Sequence, residues 1–297
     1  MAIIAPLIPP HFEYASPRSL SEAITLLSRG GEGAKVLAGG QSLMPLLKLR
    51  LASPSLLVDI NRIPGLDGIK EDEGFLRIGA LTRMAEVETS DLIRKGYPII
   101  HDAAEVIGDP LVRNLGTIGG NVSHGDPNND MPAVMLALGA QFVATGPSGE
   151  RSIKAEQFFT DSFTVALDHD EILTEIWVPK RSSRSGGCYL KLEQKVADFA
   201  TAAVAVQVRL GEAWKCEEVG LGLTAVGPTA IKARKAEQLM RGKKTTDKNA
   251  IQGFGRLAAD ESSPATDIRG TASYKKQVVR LLVIRAFRKA CERARGG

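Results

Sequence analysis

Two glycine-rich segments carry the residue types best suited to binding a phosphorylated ligand. Residues 38–43 read Ala-Gly-Gly-Gln-Ser-Leu, and residues 116–121 read Gly-Thr-Ile-Gly-Gly-Asn. Paired glycines let the backbone turn through positive φ and bring main-chain N–H groups against a ligand. Ser42, Thr117 and Asn121 add side-chain donors. Two such loops that meet in space would hold a diphosphate, whereas each pair taken alone is also compatible with an ordinary turn.

Main-chain amides are predicted to hold such a ligand more strongly than an exposed cation would. A hydrogen bond to a charged group contributes about 1.5–3 kcal/mol, so four converging amides would supply roughly 6–12 kcal/mol before costs. One exposed lysine–phosphate pair, such as Lys48 would make, contributes ~0–1 kcal/mol. The common nucleotide motifs are absent, because the chain has no G-x-x-x-x-G-K-[ST] segment and Gly31-x-Gly33 precedes a strand instead of opening a helix.

Metal-binding and nucleophilic chemistry find little support in the sequence. The four histidines form no i, i+4 pair and have no cysteine neighbour, which argues against a zinc site. Cys188, Cys216 and Cys291 are widely spaced and odd in number, so they exclude a disulfide framework and a complete set of iron–sulfur ligands. No acid–base pair is evident. The sequence therefore predicts a binding chain with no metal site and no catalytic residue.

The composition is that of an ordinary globular protein. The 297 residues include 38 Lys+Arg and 34 Asp+Glu, and the net charge of 38 − 34 = +4 is too small to imply nucleic-acid binding. No apolar run approaches the ~18–20 residues of a membrane span. The N-terminal segment MAIIAPLIPPHF lacks a basic region and a cleavage site, so we expect no secretory signal and a cytoplasmic protein.

Strands and helices are predicted on both sides of the two loops. The first glycine loop follows a short strand, and the second lies within residues 108–132, a segment rich in glycine and proline that we expect to be an irregular loop. Residues 82–107 have a helical pattern that is interrupted at Gly96-Tyr97-Pro98. Strands are predicted at 35–38, 56–60, 75–81, 141–145, 151–153 and 171–178.

The pattern changes after a linker-like segment at residues 181–187. Three predicted strands, 188–194, 200–210 and 215–225, precede three helical segments at about 231–241, 249–260 and 272–294. Strands followed by helices favour an α+β domain over a doubly wound one.

The segments around the glycine loops resemble a known family. Residues 36–50, VLAGGQSLMPLLKLR, resemble the first FAD-binding loop of the medium, flavin-carrying subunit of the molybdenum hydroxylases, and residues 107–121 resemble its second loop. His124–Asp130, Glu171–Ile176 and Asp198–Ala200 continue the similarity. The family includes carbon monoxide dehydrogenase, xanthine dehydrogenase and related aldehyde and N-heterocycle oxidoreductases. The resemblance spans nearly the whole chain and is looser in its C-terminal third.

The resemblance implies an α+β fold with two domains. Residues 1–178 would form an FAD-binding domain of the PCMH/VAO type, with subdomains at about 1–60 and 61–178. Residues 179–297 would form a C-terminal α+β domain that contains a three-stranded antiparallel sheet with helices.

The resemblance also implies a set of cofactor-binding residues. The residues that would wrap the pyrophosphate and ribose are Leu37, Ala38, Gly39, Gly40, Gln41, Ser42, Leu43 and Met44. The opposite wall would consist of Thr117, Ile118, Gly119, Gly120 and Asn121. Further contacts would come from Asp130, from the apolar Ile107 and Leu173, and from Lys191 at the flavin end. Two positions depart from the family: Gln41 stands where some carbon monoxide dehydrogenases have histidine, and Leu115 replaces a frequent arginine.

The implied function is that of an electron relay. In this family a partner oxidises the substrate at a molybdenum centre, electrons pass through iron–sulfur clusters on a second partner, and FAD on the medium subunit delivers them to an external acceptor. FAD would be this chain's cofactor. Molybdopterin and 2Fe-2S clusters are expected only on a large molybdopterin subunit and a small iron–sulfur subunit. The expected assembly is a dimer of heterotrimers, and the chain is expected to be an oxidoreductase subunit.

Two alternatives remain open at the level of sequence. The first is a self-contained FAD-dependent reductase of the same broader flavin fold, resembling the cell-wall enolpyruvyl reductases, which would need its own substrate site and acid. The second is a non-enzymatic binding or assembly module that has lost FAD. The intact glycine pairs in both loops speak against the second alternative.

Overall fold

The computed structural model describes residues 8–296 as a mixture of helices and four β-sheets, and the predicted α+β fold class is confirmed. Most of the N-terminal segment that we interpret as lacking a secretory signal lies outside the described residues, as does the start of the predicted first subdomain. Within residues 8–296, no helix is long and apolar enough to cross a membrane.

The first sheet is small and parallel, with strand order β1-β3-β2. Its region contains β1 Glu13–Ala15, α1 Leu20–Gly30, β2 Ala34–Leu37, α2 Leu43–Lys48 and β3 Leu56–Asp59. Helix α1 buries one apolar face against the sheet, because its apolar residues recur at helical spacing. Since β2 and β3 run parallel, the residues that follow both strands emerge at the same edge of the sheet.

The second sheet is antiparallel, with strand order β4-β5-β10-β6-β7, and β8 and β9 pair separately. Its strands are β4 Ile69–Asp72, β5 Phe75–Gly79, β6 Gln141–Gly146, β7 Gly149–Lys154, β8 Phe159–Asp161, β9 Thr164–Val165 and β10 Ile172–Pro179. The helices of this region are α3 Met84–Thr89, α4 Asp91–Gly96, α5 Pro98–Ala104, α6 Pro110–Leu115, α7 Ile118–Ser123, α8 Asp130–Leu138 and α9 Ala155–Phe158.

The segment 108–132 is not the irregular loop that its glycines and prolines predict. It contains α6, α7 and the start of α8. Asp109 caps α6 by accepting a hydrogen bond from the Val112 amide, and Thr117 caps α7 by accepting one from the Gly120 amide. Pro110 occupies the first turn of α6, where a missing N–H costs nothing. The prediction was wrong because side-chain caps and tertiary contacts stabilise helices too short to show a periodic pattern.

The C-terminal sheet is antiparallel and has four strands, not the predicted three. Its elements are β11 Ser185–Glu193, β12 Ala200–Leu210, β13 Cys216–Thr224, β14 Ile231–Lys232, α10 Arg234–Met240, α11 Lys248–Glu261 and α12 Ala272–Gly296. The added strand β14 pairs with Gly222 and Leu223 and occupies the start of the helix predicted at about 231–241. A strand of two residues directly before a helix is too short to show its own periodicity, so the sequence pattern assigns these residues to the helix.

Helix α8 is packed between the second and C-terminal sheets. Its residues are nearly all buried, from Asp130 to Ala137, and it packs against β12, β13 and α5. Gly220 and Gly222 allow the close approach, since a Cβ at either position would overlap a carbonyl oxygen of α8, that of Ala137 or Ala133. The fold thereby places the start of α8 where residues of the C-terminal sheet can reach it.

We predict that Gly222→Ala destabilises the chain. The new Cβ would overlap the Ala133 carbonyl, so β13 or α8 must shift, and overpacking of this kind lowers the free energy of unfolding by about 1–3 kcal/mol. Urea unfolding measures the loss. Gly96→Ala is the matched control, because its added Cβ meets no atom within 4 Å outside its chain neighbours and its own helix backbone, and it should not lower stability. Equal stability of the two variants would contradict the close packing of α8 on β13.

Candidate functional site

The two glycine loops lie against each other. A Cβ built on Gly39 would overlap the Leu115 carbonyl oxygen and lie 2.8 Å from the Gly116 Cα. The Gln41 side chain passes 3.7 Å from the Cβ position of Gly116. Backbone therefore meets backbone where the loops cross, and any side chain at Gly39 would force them apart. We call the space between residues 37–44 and 117–121 the cleft.

The first loop is shaped by one left-handed residue. Gly40 has φ of +72°, a conformation that side chains other than glycine rarely adopt. Its carbonyl accepts a 2.9 Å hydrogen bond from the Met44 amide and so begins α2. The Gln41 amide group donates to the Gly39 carbonyl at 3.2 Å. Gln41 thus stabilises the loop in which it lies.

The second loop is held from behind by the end of β5. The amides of Ile118 and Gly119 donate to the carbonyls of Thr82 and Ala80, at 3.0 and 2.9 Å. A Cβ on Gly119 would lie 2.5 Å from the Ala80 Cβ, so this glycine is required by packing. Gly120 faces the first loop instead, with its Cβ position 4.0 Å from the Ala38 Cβ. The two glycines of this pair therefore have different roles.

Asn61 and Arg83 connect the two loops, and sequence analysis missed both. The Asn61 side chain donates to the Ala38 carbonyl at 2.8 Å, and its oxygen accepts from Arg83 at 2.8 Å. Arg83 also donates to the Leu115 carbonyl. A signal for Asn61 was available, since it follows β3 and the parallel strand β2 leads into the first loop. Arg83 has no comparable signal.

One buried acceptor in the cleft has no partner. The side-chain oxygen of Asn121 is buried and makes no hydrogen bond to any of the residues 8–296 that the structure describes. The backbone carbonyl of Asn121 accepts a 2.8 Å hydrogen bond from the Asn129 side chain, which connects the second loop to the start of α8. An unpaired buried amide oxygen costs about 1–3 kcal/mol, so the site is built to receive a donor from outside the chain.

Asp130, Lys191 and Ile107 come together at the start of α8. The Lys191 ammonium lies 3.5 Å from the Asp130 carboxylate and donates to the carbonyl of Val106 at 2.7 Å, next to Ile107. It also donates to the Asp198 carbonyl at 3.0 Å. Lys191 is almost wholly buried, with 3% of its side chain exposed. One cation from the C-terminal sheet therefore joins three segments at one end of the second loop.

The Asp130 carboxyl sits in an environment that disfavours its charge. Burial raises its pKa to about 6, and the Lys191 charge and the Tyr189 hydroxyl oppose this increase only in part. The Tyr189 hydroxyl donates to Asp130, and its own pKa is raised well above 10 by burial and by the neighbouring carboxylate. Asp130 is therefore a carboxyl group beside the cleft whose pKa of about 6 is well above that of an ordinary aspartate.

Ile107 and Leu173 lie in the core behind the second loop. Both are buried, with 8% and 5% of their surface exposed, and both belong to the cluster that contains Ile118. Strand β10 carries Leu173, and its next residue, Thr174, accepts a 2.8 Å bond from the Ala80 amide. These two residues support the second loop through the hydrophobic core.

Leu115 presents its backbone, not its side chain, to the cleft. Its carbonyl touches Gly39 and accepts from Arg83, while 54% of its surface is exposed. Arg83 places a positive charge beside this contact. The departure from the frequent arginine at position 115 leaves the contact between the loops intact.

Other reactive side chains in the described part of the chain do not form a catalytic or metal-binding group. His124 ends α7, where its amide donates to the Gly120 carbonyl at 3.1 Å; its ring stacks edge-to-face on Phe163, and burial lowers its pKa. The three cysteines are free and buried. No group of three or more His, Cys, Asp or Glu side chains within residues 8–296 is arranged to hold a metal ion.

Two family models match the chain in succession. One, described as the FAD binding domain in molybdopterin dehydrogenase, matches residues 10–181. The other, described as the CO dehydrogenase flavoprotein C-terminal domain, matches residues 187–290.

Known proteins are similar to the chain over nearly its whole length. The carbon monoxide dehydrogenase medium chain of Hydrogenophaga pseudoflava is 42% identical, over 97% of this chain and 99% of the relative. The glyceraldehyde dehydrogenase medium chain of Sulfolobus acidocaldarius is 36% identical, over 95% of this chain and 99% of the relative. A solved structure of reconstituted CO dehydrogenase from Oligotropha carboxidovorans superposes with a TM-score of 0.94 at 40% identity, covering 96% of this chain and 99% of that chain.

The raised pKa of Asp130 predicts how its charge affects stability. The folded-state value of about 6 lies above the ordinary 3.8, so the native chain binds this proton more tightly than the unfolded chain does. Stability should therefore increase as pH falls through 6 toward 4, by about 2–3 kcal/mol at about 1.4 kcal/mol per pKa unit. We expect the unfolding free energy of the wild type, minus that of Asp130→Asn, to rise between pH 7 and pH 5. A constant or falling difference in urea titrations would show that the carboxyl is not destabilised by burial.

Proposed function

The chain belongs to the family of FAD-binding medium subunits of the molybdenum hydroxylases, and we propose that its FAD occupies the cleft. It is a flavoprotein subunit of an oxidoreductase complex, with a role in electron transfer. This family is the one indicated by the glycine loops. The observation that carries the location of the cofactor is the backbone contact at Gly39, which joins two distant segments around a single cleft.

The cleft suits the polar parts of FAD. The unpaired Asn121 oxygen is an acceptor, and the ribose and ribityl hydroxyls of FAD are donors. Main-chain amides around the left-handed turn at Gly40 are suited to bind phosphate oxygens, whereas the amides of residues 118–120 on the opposite wall already donate within the chain. Arg83 places a positive charge beside both loops. We infer that the diphosphate is held mainly by main-chain groups.

The remaining predicted contacts surround the end of the second loop. Asp130 offers a carboxylate, and Lys191 a cation that reaches it from the C-terminal sheet. Ile107 and Leu173 supply the apolar core that supports this region. When bound, FAD supplies the redox chemistry, and the chain's own residues bind it, orient it and exclude water.

The chain is one part of a multi-subunit complex, and we propose the division of labour that its family implies. A large subunit would carry molybdopterin, a small subunit would carry 2Fe-2S clusters, and the complex would be a cytoplasmic dimer of heterotrimers. The medium chains named for carbon monoxide and glyceraldehyde dehydrogenases have nearly the same length as this chain, although the named reactions differ. This favours a substrate site on another subunit, in keeping with the lack of a predicted catalytic residue here.

We also propose the domain boundaries suggested by the sequence. An FAD-binding domain would cover residues 1–178, with subdomains of about 1–60 and 61–178, and a C-terminal domain would cover 179–297. The separate sheets support this division. The two subdomains share part of one core, because Leu81 and Ile172 pack with Val58.

Gly39→Ala should release the cofactor. The added methyl group would overlap the Leu115 carbonyl and separate the two walls, so we expect FAD affinity to fall at least about tenfold, or about 1.4 kcal/mol. FAD per chain, measured by absorbance after gel filtration and denaturation, provides the readout. Gly96→Ala, where an added Cβ meets nothing, should retain the wild-type stoichiometry of FAD.

The same preparations distinguish the alternatives. A wild-type chain that has no FAD and no affinity for it, even with its partner subunits present, would support an assembly module. Turnover of a nicotinamide donor by the isolated, FAD-loaded chain would support a self-contained reductase. Retention of FAD by Gly39→Ala at the wild-type level would contradict the placement of the cofactor in the cleft.

A further inference from the structure

The hydroxyl of Tyr189 makes the closest side-chain contact to the Asp130 carboxylate. Tyr189 lies on β11 with 3% of its surface exposed, and its hydroxyl donates to one carboxylate oxygen. Lys191 lies two residues further on the same strand, so both side chains project from the same face. Neither the family resemblance nor the glycine loops point to Tyr189.

Lys191 is shared among several acceptors and is not a dedicated partner of Asp130. Its ammonium donates to the carbonyls of Val106 and Asp198 at 2.7 and 3.0 Å, and lies 3.3 Å from Glu193 and 3.5 Å from Asp130. An ammonium has three protons, and two of them serve the carbonyls. The hydrogen bond from Tyr189 is therefore the main contact that orients the Asp130 carboxylate.

We propose that Tyr189 is a positioning residue for FAD, which holds Asp130 as an oriented carboxylate at the end of the cleft. This inference rests on the proposed function. A carboxylate has about four acceptor positions, and Tyr189 and Lys191 occupy two of them. We infer that a hydroxyl or N–H donor of the cofactor fills one of the remaining positions. Protonation of Asp130 would remove the negative charge of its carboxylate and reduce the number of hydrogen bonds that it can accept.

Few other charged groups face Asp130 from the elements packed around it. Glu193 on β11 opposes its ionisation. Asp102 on α5 is engaged by Arg293, at 2.6 and 2.8 Å, and by the Tyr189 amide.

The other charged or titratable groups have partners elsewhere: His124 follows α7 and packs on Phe163, and Lys232 on β14 donates to the Leu136 carbonyl near the far end of α8. The Tyr189 hydroxyl and Lys191 are thus the groups that keep Asp130 ionised.

Tyr189→Phe tests the inference in the full chain, with FAD as the probe. FAD is removed, and its dissociation constant is measured by calorimetry from pH 5.5 to 9. The wild type should lose affinity as pH falls through about 6, the pKa of Asp130. Loss of a hydrogen bond to a charged group should move this midpoint upward by about one to two pH units in Tyr189→Phe. At pH 9 the two proteins should bind FAD within about threefold of each other, because both carboxylates are then ionised.

Two further variants complete the experiment. Tyr97→Phe is the matched control, since Tyr97 is also buried and donates to a carboxylate, Glu71, at 3.1 Å, and neither residue belongs to the cleft; its midpoint should equal that of the wild type. Asp130→Asn should bind FAD with little dependence on pH in this range. Thermal unfolding of each variant checks that it is folded at the pH of measurement.

The outcomes are distinct. A Tyr189→Phe profile that keeps the wild-type midpoint, whether or not affinity falls uniformly, would overturn the positioning role while leaving FAD binding in place. A wild-type chain that binds no FAD at any pH, alone or with its partner subunits, would overturn the proposed function and this inference with it.

Discussion

At Gly39 the backbone of one loop touches the backbone of Leu115 and Gly116, with no space for a Cβ atom between them. Two segments about 80 residues apart can approach this closely because no side chain stands between their backbones at Gly39. Asn61 and Arg83 secure the contact by bonding the carbonyls on either side of it. A dinucleotide is long and largely polar, so a cleft with main chain on both walls can follow it without matching many side chains.

The two loops are supported by different physical means. The first extends from the carboxyl edge of a small parallel sheet, and its shape depends on the left-handed conformation of Gly40. The second is anchored to the end of β5 by main-chain hydrogen bonds, and Gly119 permits that close packing against Ala80. The paired glycines therefore differ in role: Gly40 provides a turn, Gly39 the contact between the loops and Gly119 a packing contact with Ala80.

The C-terminal sheet contributes side chains to the candidate site. Strand β11 reaches Asp130 through Tyr189 and Lys191, and Thr224 on β13 lies 2.8 and 2.7 Å from the carbonyls of Pro127 and Asn129. Asn129 in turn holds Asn121 at 2.8 Å. The second loop is thus fixed from both of its ends, one by the second sheet and one by the C-terminal sheet. A cofactor bound in the cleft would be sensitive to changes well outside the glycine motifs.

Local pattern was enough to predict the glycine loops, most strands, the α+β class and the family, because each depends on residues close together in the chain. The short helices α6 and α7 were not predictable from periodicity, since single capping side chains such as Asp109 and Thr117 decide them. Strand β14 depends on a partner that lies about ten residues away. The roles of Arg83 and Tyr189 were decided only by the tertiary structure. Each contacts a residue dozens of positions away in the chain. Such contacts have no fixed sequence spacing, so no sequence pattern predicts them.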